Sequence, residues 1–544
     1  MDMEQEMNIE REEYVDWKGR EVQPAKHHGT RGATFVCVVE VLENMVFLSI
    51  ASNLVTYFHY SMHYPLGKSS NMLTNYMATS FLLTLLGAFI SDTFLTRFCT
   101  MVLFGSIELT GLVTLTIQAH YKALQPPPGR RPSPPQAIML YAGLYAMAAG
   151  VGGVKASLPA HGADQLDRSN KKLVSTFFNW YFFSLCMGGL SAVTILVWIQ
   201  ENRGWQWGFG ISAGALCLAL LVFAIGFPFY RHKIPSGSPL TRIFKVFLST
   251  IRHWNTPAPV TNGHGLEGRS KRKFRQEFHF PFLFFCMFST FLWWTHRFLD
   301  KATMDDGISR TQVEETRSFL RLLPIFASTI MMNCCLAQLQ TFSVHQGMTM
   351  DQKLFGNFQI PPASLTAIPL IIMLVLVALY ERLIIVMARK LLQKDFVYPP
   401  LQRIGLGLVL ASMSMAVAAI VEIKRRAAAE ESVTISIFWL GWQYFLLGMS
   451  DMFTLAGMME FFYSEAPSTM RSVCTALSWC STAMGYFLSS LLVWIANSVS
   501  GRFGSGEWLG GNDLNSSRLD LFYALLSVMN FVNFLNYLFW ARWY

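Results

Sequence analysis

Two carboxylates three positions apart in an apolar run are the first residues here whose types and spacing could do chemistry. In VVEVLENMVF, residues 38–47, Glu40 and Glu43 share one helix face with Asn44 on the same stripe, and no cation follows them. Ionisable groups inside a bilayer cost roughly 2.5 to 3.5 kcal/mol each on insertion scales, so acids at such a depth face a protein interior and are functional candidates. Two carboxylates this close in low dielectric cannot both ionise cheaply. At least one holds a proton, and the pair titrates as a unit. The chemistry on offer is reversible proton binding; the competing explanation is a hydrogen-bonded structural pair near a helix end.

Lys155, in AAGVGGVKASLPAHGADQLD, reads as the only cation deep in an apolar segment, and it needs a carboxylate or an anionic ligand to stay charged. Gly150, Gly152 and Gly153 before it suit close helix packing rather than a phosphate loop, because no strand precedes them. Glu460, in LAGMMEFFYSEAPSTMRS, places an acid in the second half of the chain near the inner end of its helix. A carboxylate in each half facing one cavity is what alternating access would use to link protonation with closure. Asp451, nine residues earlier, falls on the opposite face; it and Glu108 read as packing or secondary polar groups. Glu422 is placed too near a helix end to count, and His59, His63 and His345 fall at span ends. The sequence offers no clustered metal-ligand set and no nucleophile beside a base. No catalytic residues, metal or bound cofactor are therefore expected, and the enzyme reading is left without a site.

Such residues need a membrane scaffold, and the composition supplies one. Of 544 residues, 52% are hydrophobic and 14% charged, too apolar for an ordinary soluble chain. Runs long enough to cross a bilayer fall at about 33–59, 72–92, 98–119, 137–158, 174–199 and 205–228, then at about 321–345, 360–380, 404–422, 434–462, 472–496 and 519–541. The expected organisation is a tail (1–32), a six-helix bundle (33–228), a basic cytosolic linker without its own core (229–320), and a second six-helix bundle (321–544). Lys and Arg concentrate in the tail and linker, which puts both termini in the cytosol. The same bias explains the net charge of +9 without nucleic acid. One apolar stretch, FHFPFLFFCMFSTFLWW at 278–294, sits inside the basic linker; it reads as an interfacial segment or as an insertion from an erroneous gene model. Asn515 begins an NSS sequon in the last outside loop. The cysteines lie nearly all inside apolar runs and read as buried thiols.

With these pieces in order, the chain resembles the plant nitrate transporter/peptide transporter family, a branch of the proton-dependent oligopeptide transporters within the major facilitator superfamily. The resemblance is carried over nearly the whole length by SDTFLTRF, GVKASLPAHGADQLD, FFNWYFFS, RFLDKA, TQVEETR, TFSVHQG, PLQRIGLGL, EFFYSEAP and DLNSSRLDLFYALL. It implies an all-α membrane protein of twelve helices, two six-helix bundles around a central cavity, and proton-driven uptake. Glu40 and Glu43 match the acids of the family's first-helix E-x-x-E motif, while Asn44 stands where a basic residue follows them. Lys155 matches a fourth-helix lysine implicated in coupling, and Glu460 a tenth-helix acid, so the resemblance assigns proton coupling to Glu40, Glu43, Lys155 and Glu460, with Lys155, Asn44 and Glu460 facing substrate. Asp92 and Arg97 resemble the superfamily's D-x-x-x-x-R gate element. Leu336 stands where some members carry a seventh-helix histidine used for nitrate.

Without that histidine, the expected substrate is an organic carboxylate, a hormone such as abscisic acid or a gibberellin, as EVLENMVFLSIASNLVTYF and IELTGLVTLTIQAH most resemble the family's fourth subfamily. Nitrate symport, and an anion sensor with little net transport, are the alternatives. The expected partners are the lipid bilayer, the anion and protons, with a homodimer left open. The expected location is the plasma membrane, and the driving force a proton gradient.

Overall fold

A computed structural model describes residues 14–20, 29–64, 66–254, 298–379, 399–502, 508–509 and 517–544, apart from positions 129, 168–169, 236, 238, 306, 352, 356–357 and 360–366. The apolar stretch 278–294 and the Asn515 sequon lie outside the described residues. Eleven helices among the described residues are long and apolar enough to span a bilayer. In chain order, with one shorter apolar helix in eighth place, they are α1 (Gly29–Ser61), α2 (Leu66–Thr93), α3 (Arg97–His120), α4 (Pro134–Asp164), α5 (Lys171–Asn202), α6 (Trp205–Ile225), α7 (Arg310–Gln340), α8 (Ala367–Leu379), α9 (Pro400–Glu430), α10 (Leu440–Ser464), α11 (Arg471–Arg502) and α12 (Leu519–Trp543).

Most helices outrun the apolar windows because capping chemistry, not hydropathy, decides where they start. Ser133 and Gln136 form a capping box ahead of Pro134, and Ser309 and Gln312 do the same for α7. The linker therefore ends at Arg310 rather than near 320. Pro400 opens α9 at a position whose N–H would be unpaired in any case.

The two halves repeat each other. Helix α1 packs on α5 and α6, α2 on α4, and α3 on α4 and α6. Adding six to each number gives the contacts of the second half: α7 on α11 and α12, α8 on α10, and α9 on α10 and α12. The halves meet through α2 against α11 and α5 against α8, which the same shift also exchanges. Such parallel repeats are the major facilitator arrangement.

Lipid gives little drive for apolar faces to meet, so close backbone approach and buried polar bonds do the work. A Cβ on Gly153 would lie 2.0 Å from the Phe104 ring, one on Gly150 2.4 Å from the Glu108 Cβ, and one on Gly152 2.8 Å from Leu83. These glycines thus seat α4 against α3 and α2. Between α7 and α11, Ser481 receives a bond from Asn333 (3.0 Å) and lies 2.8 Å from the Thr329 hydroxyl, while Gln338 donates to Ser489 at 2.7 Å.

Part of the linker is folded, contrary to the expectation of a coreless segment. The amphipathic helix Pro239–Arg252 and the turn Leu299–Met304 bury Val246, Leu299 and Ala302 against Val313 of α7. The N-terminal tail also has a partner, since Tyr14–Val15 (β1) pairs antiparallel with His232–Lys233 (β2).

Candidate functional site

The structure brings Glu40, Glu43, Asn44 and Lys155 together and places Glu460 elsewhere. Glu40 and Glu43 are fully buried on α1, and Lys155 reaches them from α4, also fully buried. Its ammonium donates to Glu43 Oε2 at 3.1 Å and to Asn44 Oδ1 at 3.3 Å. Asn44 in turn donates from Nδ2 to the Leu185 carbonyl at 2.7 Å, which ties α1 to α5 and fixes the amide so that its oxygen faces the lysine. Glu40 Oε2 accepts a bond from the Tyr181 hydroxyl at 2.6 Å. The remaining oxygens, Oε1 of both acids, have no hydrogen-bond partner among the described residues. One ammonium faces two carboxylates, so electroneutrality leaves one of the acids protonated.

The lysine also sits between ring faces. Its Nζ is 4.8 Å from the centroid of Phe47 on α1 and 4.8 Å from that of Trp479 on α11. Trp479 is stacked on Phe81 of α2 at 5.6 Å. The cation is therefore contacted by both halves, by a carboxylate and by two aromatic rings.

Lys155 is not the only buried cation. Arg403 is 1% exposed, and Arg97, Arg425 and Arg471 are also buried. Arg403 donates to Glu460 Oε2 at 2.9 Å and to Asn179 Oδ1 at 2.6 Å, while Ser175 donates to the same Glu460 oxygen at 3.0 Å. Glu460 and Lys155 are thus engaged with different partners, and one carboxylate per half does not face one lysine here. Glu422, set aside in the sequence as too near a helix end, lies well inside α9 and is fully buried. Arg425 grips it with two bonds of 2.7 and 2.9 Å, and Gln346 donates to it at 2.6 Å.

Asp92 and Arg97 meet at the ends of α2 and α3, with Thr96 capping α3 through Cys99 N–H. Arg97 pairs with Asp92 at 3.5 Å and with Asp164 at the end of α4, and it donates to Ser472 of α11 at 2.9 Å. Asp92 accepts the Val473 N–H at 3.2 Å, a carboxylate at a helix N-terminus where the dipole favours it. Tyr463 of α10 donates to Asp164 at 2.7 Å, and Tyr14 of the tail does so at 3.1 Å. This cluster joins the two halves at one end of the bundle. Beside it, burial lowers the pKa of His232 in β2.

Asn44 gives a pH prediction with a definite sign. Asn44→Arg adds a positive charge beside Glu43, which favours the ionised carboxylate, so a more acidic medium is needed to load the pair. The pH at which the carboxyl C=O infrared band of the pair appears should move toward acid; an unchanged band would mean that Asn44 does not act on the charge of the pair.

The comparisons with known proteins agree on the lineage. Residues 98–509 match the model of the POT family. Protein NRT1/PTR FAMILY 4.1 of Arabidopsis thaliana is 52% identical over 99% of this chain and 100% of its own length, and FAMILY 4.2 is 50% identical over 98% and 99%. Among solved structures, the POT family transporter PepTSo superposes with a TM-score of 0.67 at 18% identity, covering 94% of this chain and 98% of that one. A likeness of that order carries the fold, while the plant relatives carry the lineage. The chain belongs to the POT family, in its plant NRT1/PTR FAMILY 4 branch, and is a multi-pass membrane transporter.

Proposed function

We propose that this transporter is a proton-coupled symporter importing a small organic anion, a hormone-type carboxylate such as abscisic acid or a gibberellin, across the plasma membrane with both termini cytosolic. The observation that carries the reading is Lys155, a buried ammonium held by one carboxylate and flanked by the rings of Phe47 and Trp479. A proton arriving at Glu43 removes the negative charge that occupies the lysine. The ammonium then has a free donor direction for a substrate carboxylate, and the rings suit an apolar body attached to it. One proton in and one monoanion bound leave the charge of the cluster unchanged, which is how binding of the two is linked. The Asp92–Arg97–Asp164 cluster supports a gate that must separate for release to the cytosol. Leu336, packed against the apolar core, offers no cationic donor to nitrate.

A substrate panel in oocytes at two external pH values tests this. Uptake of abscisic acid or a gibberellin should saturate and rise at acidic pH, and Glu43→Gln should abolish the pH dependence while the protein still reaches the surface. Nitrate currents without hormone uptake would replace the substrate. Ligand binding without flux would replace the symporter by a sensor.

A further inference from the structure

Glu108, on α3, stands outside the Lys155 ion pair and is not used above. It is fully buried, and neither of its carboxyl oxygens has a hydrogen-bond partner among the described residues. A buried carboxylate with no donor is costly to keep ionised, whereas the neutral acid has far less to satisfy. The contact of its backbone with Gly150 leaves no room even for a methyl group, so α3 and α4 hold it at a fixed level. Glu43 and Glu40 of α1 and Lys155 of α4 lie within its electrostatic reach, as does Tyr76 of α2. Helix α6, which also packs on α3, carries no Asp, Glu, Lys, Arg or His.

A cavity of about 270 Å³ lies between α2 and α4, lined by Lys68, Asn75, Tyr76, Tyr141 and Tyr145 among others. It is at the end of these helices away from the Arg97 cluster, the outer end in the orientation proposed above. Along α4 the cavity reaches Tyr145, Glu108 is level with Gly150, and the ion pair is at Lys155. Each step is five residues, about 7.5 Å at the helical rise. Tyr76 lines the cavity with its side chain, while its hydroxyl is buried and has no hydrogen-bond partner among the described residues.

We infer that Glu108 is a further proton-binding group of the translocation site, loaded from this cavity through Tyr76. The step needs the Tyr76 side chain to turn its hydroxyl between the cavity and Glu108; a hydronium ion in the cavity then gives a proton to the Tyr76 oxygen as Tyr76 passes its own to a Glu108 oxygen, leaving water behind. Glu108 hands that proton to Glu43, whose bond to Lys155 then breaks. With three carboxylates around one ammonium, the electroneutral cluster holds two carboxyl protons, where Glu40 and Glu43 alone would hold one. The inference takes its purpose from the symport reading, but the proton site can be observed without substrate or gradient.

The test is infrared difference spectroscopy of the purified full-length protein, stepped in pH without substrate. Wild type should show a protonated-carboxyl C=O band that Glu108→Gln removes and Glu43→Gln keeps. On transfer to D2O, Tyr76→Phe, which preserves the ring, should slow the deuterium shift of that band roughly a hundredfold or more, as expected for loss of a positioned proton relay. A Glu108→Gln spectrum identical to wild type overturns the site. Wild-type exchange in Tyr76→Phe overturns the route, and this second variant decides even where the glutamine variant fails to fold. If the band behaves as stated while every transport assay is negative, the symport reading falls and the proton site stands.

Discussion

Replacing Lys155 by alanine is expected to bring anion uptake to background and to destabilise the protein, and a second substitution separates the two effects. The ammonium is wholly buried and bonded to Glu43 and Asn44. Removing it leaves Glu43 buried without its cation, a loss of about 3–5 kcal/mol for a broken buried pair unless the acid takes up a proton. In the proposed symport a substrate carboxylate loses its charged donor as well, about 1.5–3 kcal/mol or roughly ten- to hundredfold in affinity. Lys155→Ala combined with Glu43→Gln removes both charges and should restore most of the thermal stability. Transport should stay at background, because the anion still lacks its cation. Recovery of uptake in the double variant would make Lys155 purely structural. Thermal unfolding in detergent and radiolabelled uptake in oocytes give the two readouts.

The heart of this site was legible because helical period is local. Glu40, Glu43 and Asn44 fall on one stripe in any helix that contains them, and an isolated lysine in an apolar run demands a partner wherever it lies. What the sequence withheld is of two kinds. Hydropathy fades short of the helix ends: Pro400 starts α9 ahead of its apolar run and α9 continues to Glu430, so Arg403 falls outside the run at 404–422 and Glu422 looks terminal. Reading Pro399–Pro400 as a helix start puts Arg403 in the first turn of α9; its burial rests on the packing of other helices.

The second kind is pairing between distant segments. Nothing in FFNWYFFS sets Tyr181 apart from its aromatic neighbours, although a buried tyrosine hydroxyl asks for an acceptor, and that acceptor is Glu40. No local spacing joins Glu460 to Arg403, 57 positions away, rather than to Lys155. The sixfold shift of helix contacts was likewise invisible, because the halves share packing geometry without an evident shared pattern of residues. Glycines 150, 152 and 153 were the exception, since a run of small residues in a span implies close approach even when its partner helix is unknown.

If the Arg97–Asp164 cluster is the proposed gate, Arg403→Ala should open that end of the transporter, and it should do so without touching the Lys155 cluster. Arg403 bonds Glu460 within its own half and Asn179 across to α5, while Ser175 of α5 reaches the same Glu460 oxygen. The guanidinium therefore contributes to closure twice, once directly and once by holding the carboxylate that Ser175 needs. Loss of one partner from a buried ion pair costs about 3–5 kcal/mol, and whatever part of this belongs to the closed state alone shifts the population toward the open one. A native reporter lies nearby in Cys474, which is fully buried on the first turn of α11 next to Val473, the residue whose N–H is bonded to Asp92. Its modification by a membrane-impermeant maleimide in inside-out vesicles should rise roughly tenfold or more for a shift above 1.4 kcal/mol. With Glu460→Gln added, the neutral amide still accepts from Ser175 and no charge is left without its ion partner, so labelling should fall part of the way back. Equal labelling in wild type and Arg403→Ala would mean that the Arg97–Asp164 cluster closes this end alone, and that Arg403 and Glu460 only brace α9 against α10.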